Sequence, residues 1–204
     1  MKNIFFRFGY YLIGSIILAF GIALSILSNL GAGAFDALNS NLSAFLKISL
    51  GKAMLISVLF CLTVTMILKP KWIYFVGTLL TFIISFLLDW FVRIIPSVEN
   101  VFTLRVIYFI ASLILLPLGI VFIIKSKMPL SPMDNLLVIL VEKTKWSVTI
   151  VKTLIESSFT LLALIFGFSA GISFGAISIG TLIITFTIGP GIGLFMKVVK
   201  DIKV

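Results

Sequence analysis

The chain of 204 residues has no histidine, one cysteine (Cys61), and only 11% charged residues, with seven acids in all. Without histidine there is no imidazole for a metal site and no base for a Ser-His or Cys-His nucleophile pair. A single cysteine cannot close an intramolecular disulfide. Soluble domains carry about 25% charged residues, so this composition excludes an ordinary soluble domain. No Gly-x-Gly-Asp carboxyl-protease signature and no cofactor-site motif occurs either. The expectation is a protein that is not an enzyme, with no cofactor and no metal. What the chain does contain is 61% hydrophobic side chains and 20 phenylalanines.

A helix needs roughly 20 apolar residues to cross the hydrocarbon core. Uncharged runs near residues 8–29, 53–68, 72–92, 104–124, 148–168 and 172–196 predict six such helices. A closed barrel would alternate polar and apolar residues along each strand, whereas Leu113-Ile-Leu-Leu-Pro-Leu118 is continuously apolar. The predicted fold is therefore all-α, a polytopic membrane protein forming a single transmembrane domain over residues 1–204.

A formal charge of +9 is also found in nucleic-acid-binding proteins, but here the basic residues sit at span ends rather than on one face. With the N-terminus inside, one side of the bilayer holds Lys2, Arg7, Lys69, Lys71, Lys125, Lys127, Lys143, Lys145, Lys197, Lys200 and Lys203. The other holds Lys47, Lys52, Arg93 and Arg105. The positive-inside rule then places both termini in the cytoplasm. Trp72, Tyr74, Trp90 and Trp146 are expected as interfacial anchors. Lys2 and Arg7 precede an apolar run, as in a signal peptide, but the run exceeds the usual 7 to 15 residues of such a segment, so cleavage is not expected.

The sequence repeats itself. Gly21, Asp36 and Leu38 recur as Gly119, Asp134 and Leu136, each 98 residues later, and Gly77-Thr78 recurs as Gly180-Thr181. Two repeats, about 8–95 and 104–197, hold three spans each. An odd number makes the second copy enter the bilayer from the opposite side, so the repeats are expected to be inverted, a common build of secondary transporters.

Asp36 and Asp134 each follow a span in a stretch broken by glycine or proline. In Ser131-Pro132-Met133-Asp134, serine fits an N-cap, proline N1 and aspartate N3 of a short helix; Gly33-Ala34-Phe35-Asp36 reads likewise. Carboxylates there suit the positive end of a helix, and two of them related by inversion could equally bound a cavity and bind a cation or proton. Lys152 and Glu156 lie four residues apart on one face of the fifth span. Glu156 falls roughly 12 Å past the start of that span, a depth at which a lone charge is costly. It should therefore face the interior, paired with Lys152 or protonated. Thr78 and Thr181 are candidate pore-facing hydroxyls. Helix breaks are expected at Gly31, Gly33, Pro129, Pro132, Gly180, Gly189 and Pro190, with Gly171 and Gly175 offering close helix approach. Asp89 is expected to answer Arg93, and Cys61 to be a buried small hydrophobe.

On these residues the chain resembles the YczE/YitT-type family of bacterial integral membrane proteins, and the YczE branch in particular. Members look like Gly-x-Gly-Pro-x-Asp-x-Leu after the first span of a half, represented here by Gly31, Gly33, Asp36 and Leu38 and again by Pro132, Asp134 and Leu136. They also carry a basic residue and Glu on the fifth span, here Lys152 and Glu156, and Gly-Thr with a later Gly-Pro on the sixth, here Gly180, Thr181, Gly189 and Pro190. Ala34 stands where proline is usual, Ser131 where glycine is, and Lys152 where arginine is, which removes a planar bidentate donor. The resemblance implies this topology in a bacterial cytoplasmic membrane and suggests permease-like activity on a small solute or ion. The alternative is a non-catalytic module that works with a partner subunit, capturing substrate or serving as a scaffold or regulator, or that forms a homo-oligomer.

Overall fold

The computed structural model describes residues 2–200, and of the basic residues counted above Lys203 lies outside them. The described chain forms eight helices: α1 (Lys2–Leu27), α2 (Ala34–Leu46), α3 (Leu50–Leu68), α4 (Ile73–Ile94), α5 (Phe102–Ser126), α6 (Pro132–Thr144), α7 (Val148–Ser169) and α8 (Ile179–Val198). Among the described residues there is no strand. Helices α1, α3, α4, α5, α7 and α8 are long and apolar enough to cross a membrane. Their outward side chains, among them Phe5, Ile67, Phe86 and Phe186, are strongly exposed. Water would penalise that surface and lipid does not, so the bilayer is its solvent.

The two short helices fall where the Asp-bearing motifs predicted them. Ser131 caps α6 by accepting the Asp134 N–H, with Pro132 at N1. Glycine at position 33 leaves α2 without a side-chain cap. Both short helices end on a lysine in the left-handed conformation, Lys47 and Lys145, where a cation suits the carbonyl end of the helix.

At the centre, α1 packs along α5. Glycines make this possible: a Cβ on Gly21 would come within 3.1 Å of the Leu116 N, and one on Gly119 within 2.6 Å of the Leu18 N. Leu116 is Leu18 advanced by 98 residues, as Gly119 is Gly21. A second pair of contacts repeats the pattern. The Arg7 guanidinium donates to the Ser126 carbonyl at 3.0 Å, and that of Arg105 to the Ser28 carbonyl at 2.8 Å. Again each partner in one contact is the other's residue moved by 98. Around this pair, α4 packs on α1 and α8 on α5, while α2 lies along α7 and α6 along α3. One apolar cluster joins α1, α3, α4, α5 and α8. A second joins α2, α3, α6 and α7 and contains the buried Cys61.

The recurring Gly-Thr pairs have a packing reason. A Cβ on Gly180 would overlap the Leu30 carbonyl oxygen, and one on Gly77 would overlap that of Leu130. Leu30 and Leu130 lie in the α1–α2 and α5–α6 links, so each half supplies the glycine that admits the other half's link.

Several expectations are corrected. The last helix starts at Ile179 instead of 172, because Gly171 and Gly175 take left-handed turns (φ 73° and 56°) in the α7–α8 link. Neither glycine therefore lies on a helix face. Gly31, Gly33, Pro129 and Pro132 do mark the breaks around the short helices, but Gly180 is the second residue of α8, and Gly189 and Pro190 lie inside it. Proline is tolerated within membrane helices, where local adjustments re-satisfy the freed carbonyl, and α8 continues through it. Tyr74 is buried against Leu62 and Ile139 and is no interfacial anchor, whereas Trp72, Trp90 and Trp146 are exposed.

Asp89 does not answer Arg93. Its carboxylate accepts from the Ser49 hydroxyl and the Gly51 N–H, both at 2.6 Å, and so ties the start of α3 to α4. Asp89→Ala is expected to lower stability by about 1–3 kcal/mol, since two donors lose a charged partner. Thermal unfolding of the purified protein checks this, and an equal loss from Arg93→Ala would refute the assignment.

Candidate functional site

The α1–α2 and α5–α6 links deliver the N-termini of two short helices to the interior, and α7 runs beside them. Asp36 stands at N3 of α2, and Glu156 is close enough for its charge to act on it. Phe35 packs against Phe159, one turn beyond Glu156, with ring centroids 5.2 Å apart and the planes tilted by 57°. Asp134 stands at N3 of α6, within reach of the Lys152 charge, and Lys152 also acts on Glu156. Charge thus links Asp36 to Glu156, and Lys152 to both Glu156 and Asp134, with no hydrogen bond or ion pair joining any of these pairs.

The two aspartates are not equivalent. The Ser131 hydroxyl donates to the Asp134 carboxylate at 2.7 Å. Packing around the Asp134 carboxyl raises it above its ordinary range, while that hydrogen bond and Lys152 pull it down, and the residue as a whole is exposed, as is Lys152. At Asp36, Gly33 offers no hydroxyl, and among the described residues the Asp36 carboxylate makes no hydrogen bond or ion pair. Burial pushes it up to about 7, and the nearby Glu156 charge adds to the rise. A carboxyl that changes charge near neutrality, with no fixed partner, is free to engage a ligand or a proton.

Lys152 and Glu156 share a helix face as their spacing predicts, but they form no ion pair within 4 Å. Among the described residues the salt bridge is Lys69–Glu142, at 2.5 Å between the ends of α3 and α6. The Thr78 and Thr181 hydroxyls are taken up locally. Thr78 donates to the Tyr74 carbonyl, and Thr181 accepts the Ser178 N–H to complete a capping box. Sequence reasoning missed Asn39. It stands one turn beyond Asp36, is 1% exposed, and neither its amide oxygen nor its nitrogen has a partner. Its counterpart 98 residues later is Leu137, so the repeat gave no signal for it.

An apolar groove of about 240 Å³ opens between α2, α3 and α7, with Leu38, Leu42, Phe60, Phe159, Leu162 and Phe166 among its walls; none of the four charged candidates lines it. Phe60 is well exposed on the membrane-facing surface, so the groove opens towards the lipid.

Comparison with known proteins agrees with the architecture. The chain is similar to the uncharacterized protein YyaS of Bacillus subtilis (strain 168), 30% identical over 197 residues, 95% of this chain and 94% of the relative. It is also similar to the uncharacterized membrane protein YczE of the same organism, 28% identical over 178 residues, 86% of this chain and 81% of the relative. No solved structure matches. Residues 5–197 match the model of a family of unknown function, DUF6198, and the chain, an all-helical membrane protein with six candidate spans, belongs to that family.

Proposed function

We propose that the chain is a non-enzymatic, secondary-transporter-like permease of the bacterial cytoplasmic membrane. It moves a small solute or ion past Asp36, Asp134, Lys152 and Glu156, its halves are inverted-topology repeats, and both termini are cytoplasmic. The observation that carries this reading is the placement of Asp36 and Asp134 at the starts of two short helices that both pack on the long helix bearing Lys152 and Glu156. Transporter sites are commonly built at such broken helices on a repeat interface.

The inversion draws support from the reciprocal contacts. A repeat related by simple translation would carry the Arg7–Ser126 contact to Arg105 and a residue 98 beyond Ser126, past the end of the chain. A two-fold exchange carries it to Arg105–Ser28, the bond observed. With three spans in each half, such an axis lies in the membrane plane.

The test is movement in sealed proteoliposomes containing a pH-sensitive dye, under imposed gradients of Na⁺, K⁺, ammonium or phenethylammonium. At least one gradient is expected to shift internal pH faster than in protein-free vesicles. Wild-type vesicles that match empty ones for every probe would refute the permease reading, and copurifying ATPase subunits would then favour a capture module.

A further inference from the structure

The geometry points to a second, polar groove, between α2, α3 and α4, as a water-filled vestibule for small hydrophilic solutes, with one face of α2 leading from it towards Asp36. The vestibule stands on its own observations, and only its role as an entry route rests on the permease reading.

This groove holds about 330 Å³ and is lined by Ser40 and Ser43 of α2, Ser49 at the cap of α3, and Asp89 and Arg93 of α4. It lies at the end of the bundle where α1 and α4 finish and α3 begins, and so opens at a membrane face. Its wall carries three hydroxyls and one charge of each sign. Asp89 is held by Ser49 and Gly51. Among the described residues the Ser40 hydroxyl and the Arg93 guanidinium have no hydrogen-bond or ion-pair partner. Polar groups without a protein partner take water instead, and a cavity of this size with several polar neighbours has room for more than one water molecule. The apolar groove on the other side of α2 has Ser57 as its polar member.

Helix α2 carries the same polarity inwards. Asp36, Asn39, Ser40 and Ser43 follow the i, i+3, i+4, i+7 spacing of one helix face, while Leu38 and Leu42 on the opposite face line the apolar groove. Ring contacts fix the depth. Phe45 packs on Phe166 near the end of α7, and Phe35 on Phe159 near its middle, so α2 runs between mid-depth and the end of the spans. Ser43 and Asp36 are about 10 Å apart along it. Ser40 lines the polar groove and Asp36 and Asn39 do not, so the open part stops one turn short of the carboxylate. On that last turn stands Asn39, 1% exposed, with its amide oxygen and nitrogen both unpartnered. An entering water or solute finds its next acceptor and donor there. The fold does not require this polarity. The counterparts of Asn39, Ser40 and Ser43 in α6, 98 residues on, are Leu137, Val138 and Val141, and α6 is a helix of the same length.

The experiment places single cysteines in the full-length chain after Cys61→Ala, in proteoliposomes with a small membrane-impermeant thiol reagent on both faces. Ser40→Cys and Ser43→Cys should react within about tenfold of the rate at the exposed position Lys47→Cys, since thiol reactivity follows exposure. Leu42→Cys and Ser57→Cys, on the apolar groove, should react at least about a hundredfold more slowly than Lys47→Cys. Asn39→Cys and Asp36→Cys should fall between these limits. A cationic and an anionic reagent should give similar rates in the vestibule, because its wall carries one charge of each sign. Each region has two variants so that one which fails to fold leaves the other to decide. Rates at Ser40→Cys and Ser43→Cys no faster than at Leu42→Cys would overturn the vestibule. Rates at Asn39→Cys and Asp36→Cys as slow as at Leu42→Cys would overturn the route to Asp36. Solute movement by the wild-type protein with an unreactive vestibule would overturn this proposal and leave the permease intact. A reactive vestibule without movement of any solute would do the reverse.

Discussion

Asp36→Asn is expected to abolish gradient-driven proton movement while leaving a folded, monodisperse protein. The carboxylate has no hydrogen-bond or ion-pair partner among the described residues, so no donor is orphaned when it becomes an amide, and the amide is nearly the same size. What disappears is a group able to change charge near neutral pH. The sign of its effect on stability is fixed by the same burial. Its folded value lies near 7 against an ordinary 3.8, so between those values the folded form keeps a proton that the unfolded chain has released. Wild-type stability should therefore fall as pH rises from about 4 to about 7. Asp36→Asn should flatten that fall, as seen in thermal midpoints measured across pH. Glu156→Gln should likewise fold and lose or pH-shift the activity. A structural ion pair would instead show as lost stability, restored by also changing Lys152. Wild-type proton movement at every pH in both folded variants would remove these carboxyls from the mechanism.

Gly180→Ala and Gly77→Ala should each destabilise the protein by about 3 kcal/mol or more, at the severe end for single substitutions. The atom that a Cβ would meet is a backbone carbonyl oxygen, Leu30 or Leu130, which cannot turn aside as a side chain can. At Gly180 that oxygen also accepts the glycine N–H at 3.0 Å and the Ser178 hydroxyl. Pushing the link away would therefore break the bonds that hold α8 against it and shift the start of α2, where Asp36 stands. Gly189→Ala and Gly193→Ala provide the contrast. A Cβ at either meets nothing within 4 Å, and alanine favours a helix interior over glycine, so these changes should be neutral or mildly stabilising. Urea or thermal denaturation in detergent distinguishes the two pairs. Equal tolerance at all four positions would refute the close approach.

Much of this was legible in the sequence because lipid imposes simple demands. A span must be long, apolar and uncharged, and each of the six runs corresponds to one long helix, with the largest displacements at the start of α1 and at the glycine turns ahead of α8. The short helices were legible through their own punctuation, Ser131-Pro132 and Gly33 ahead of aspartate. Within apolar helices the signal fails. Residues such as Ile56 and Leu38 look alike whether they face lipid, a groove or another helix, so the groove could not be foreseen. Asp89 was misassigned because i,i+4 spacing to Arg93 is a local cue, whereas its partners lie about 40 residues back at Ser49 and Gly51. Pro190 misled because the rule that proline ends a helix comes from helices in water. Asn39 was missed because an uncharged side chain in a helix carries no mark of being unpartnered.

The bonds between Arg7 and Ser126 and between Arg105 and Ser28 also bear on how the protein is made. Arg7 finds its acceptor 119 residues further along the chain. At a synthesis rate of roughly 5–20 residues per second, that acceptor emerges about 6–24 s later. Throughout that interval the first helix has its arginine unanswered and its Gly21 face open to whatever passes in the membrane. The second half, by contrast, emerges to find Ser28 and Leu18 already in place. Biogenesis is therefore lopsided even where the finished contacts are matched, and the waiting first helix is the segment on which insertion factors and quality-control proteases have the longest time to act.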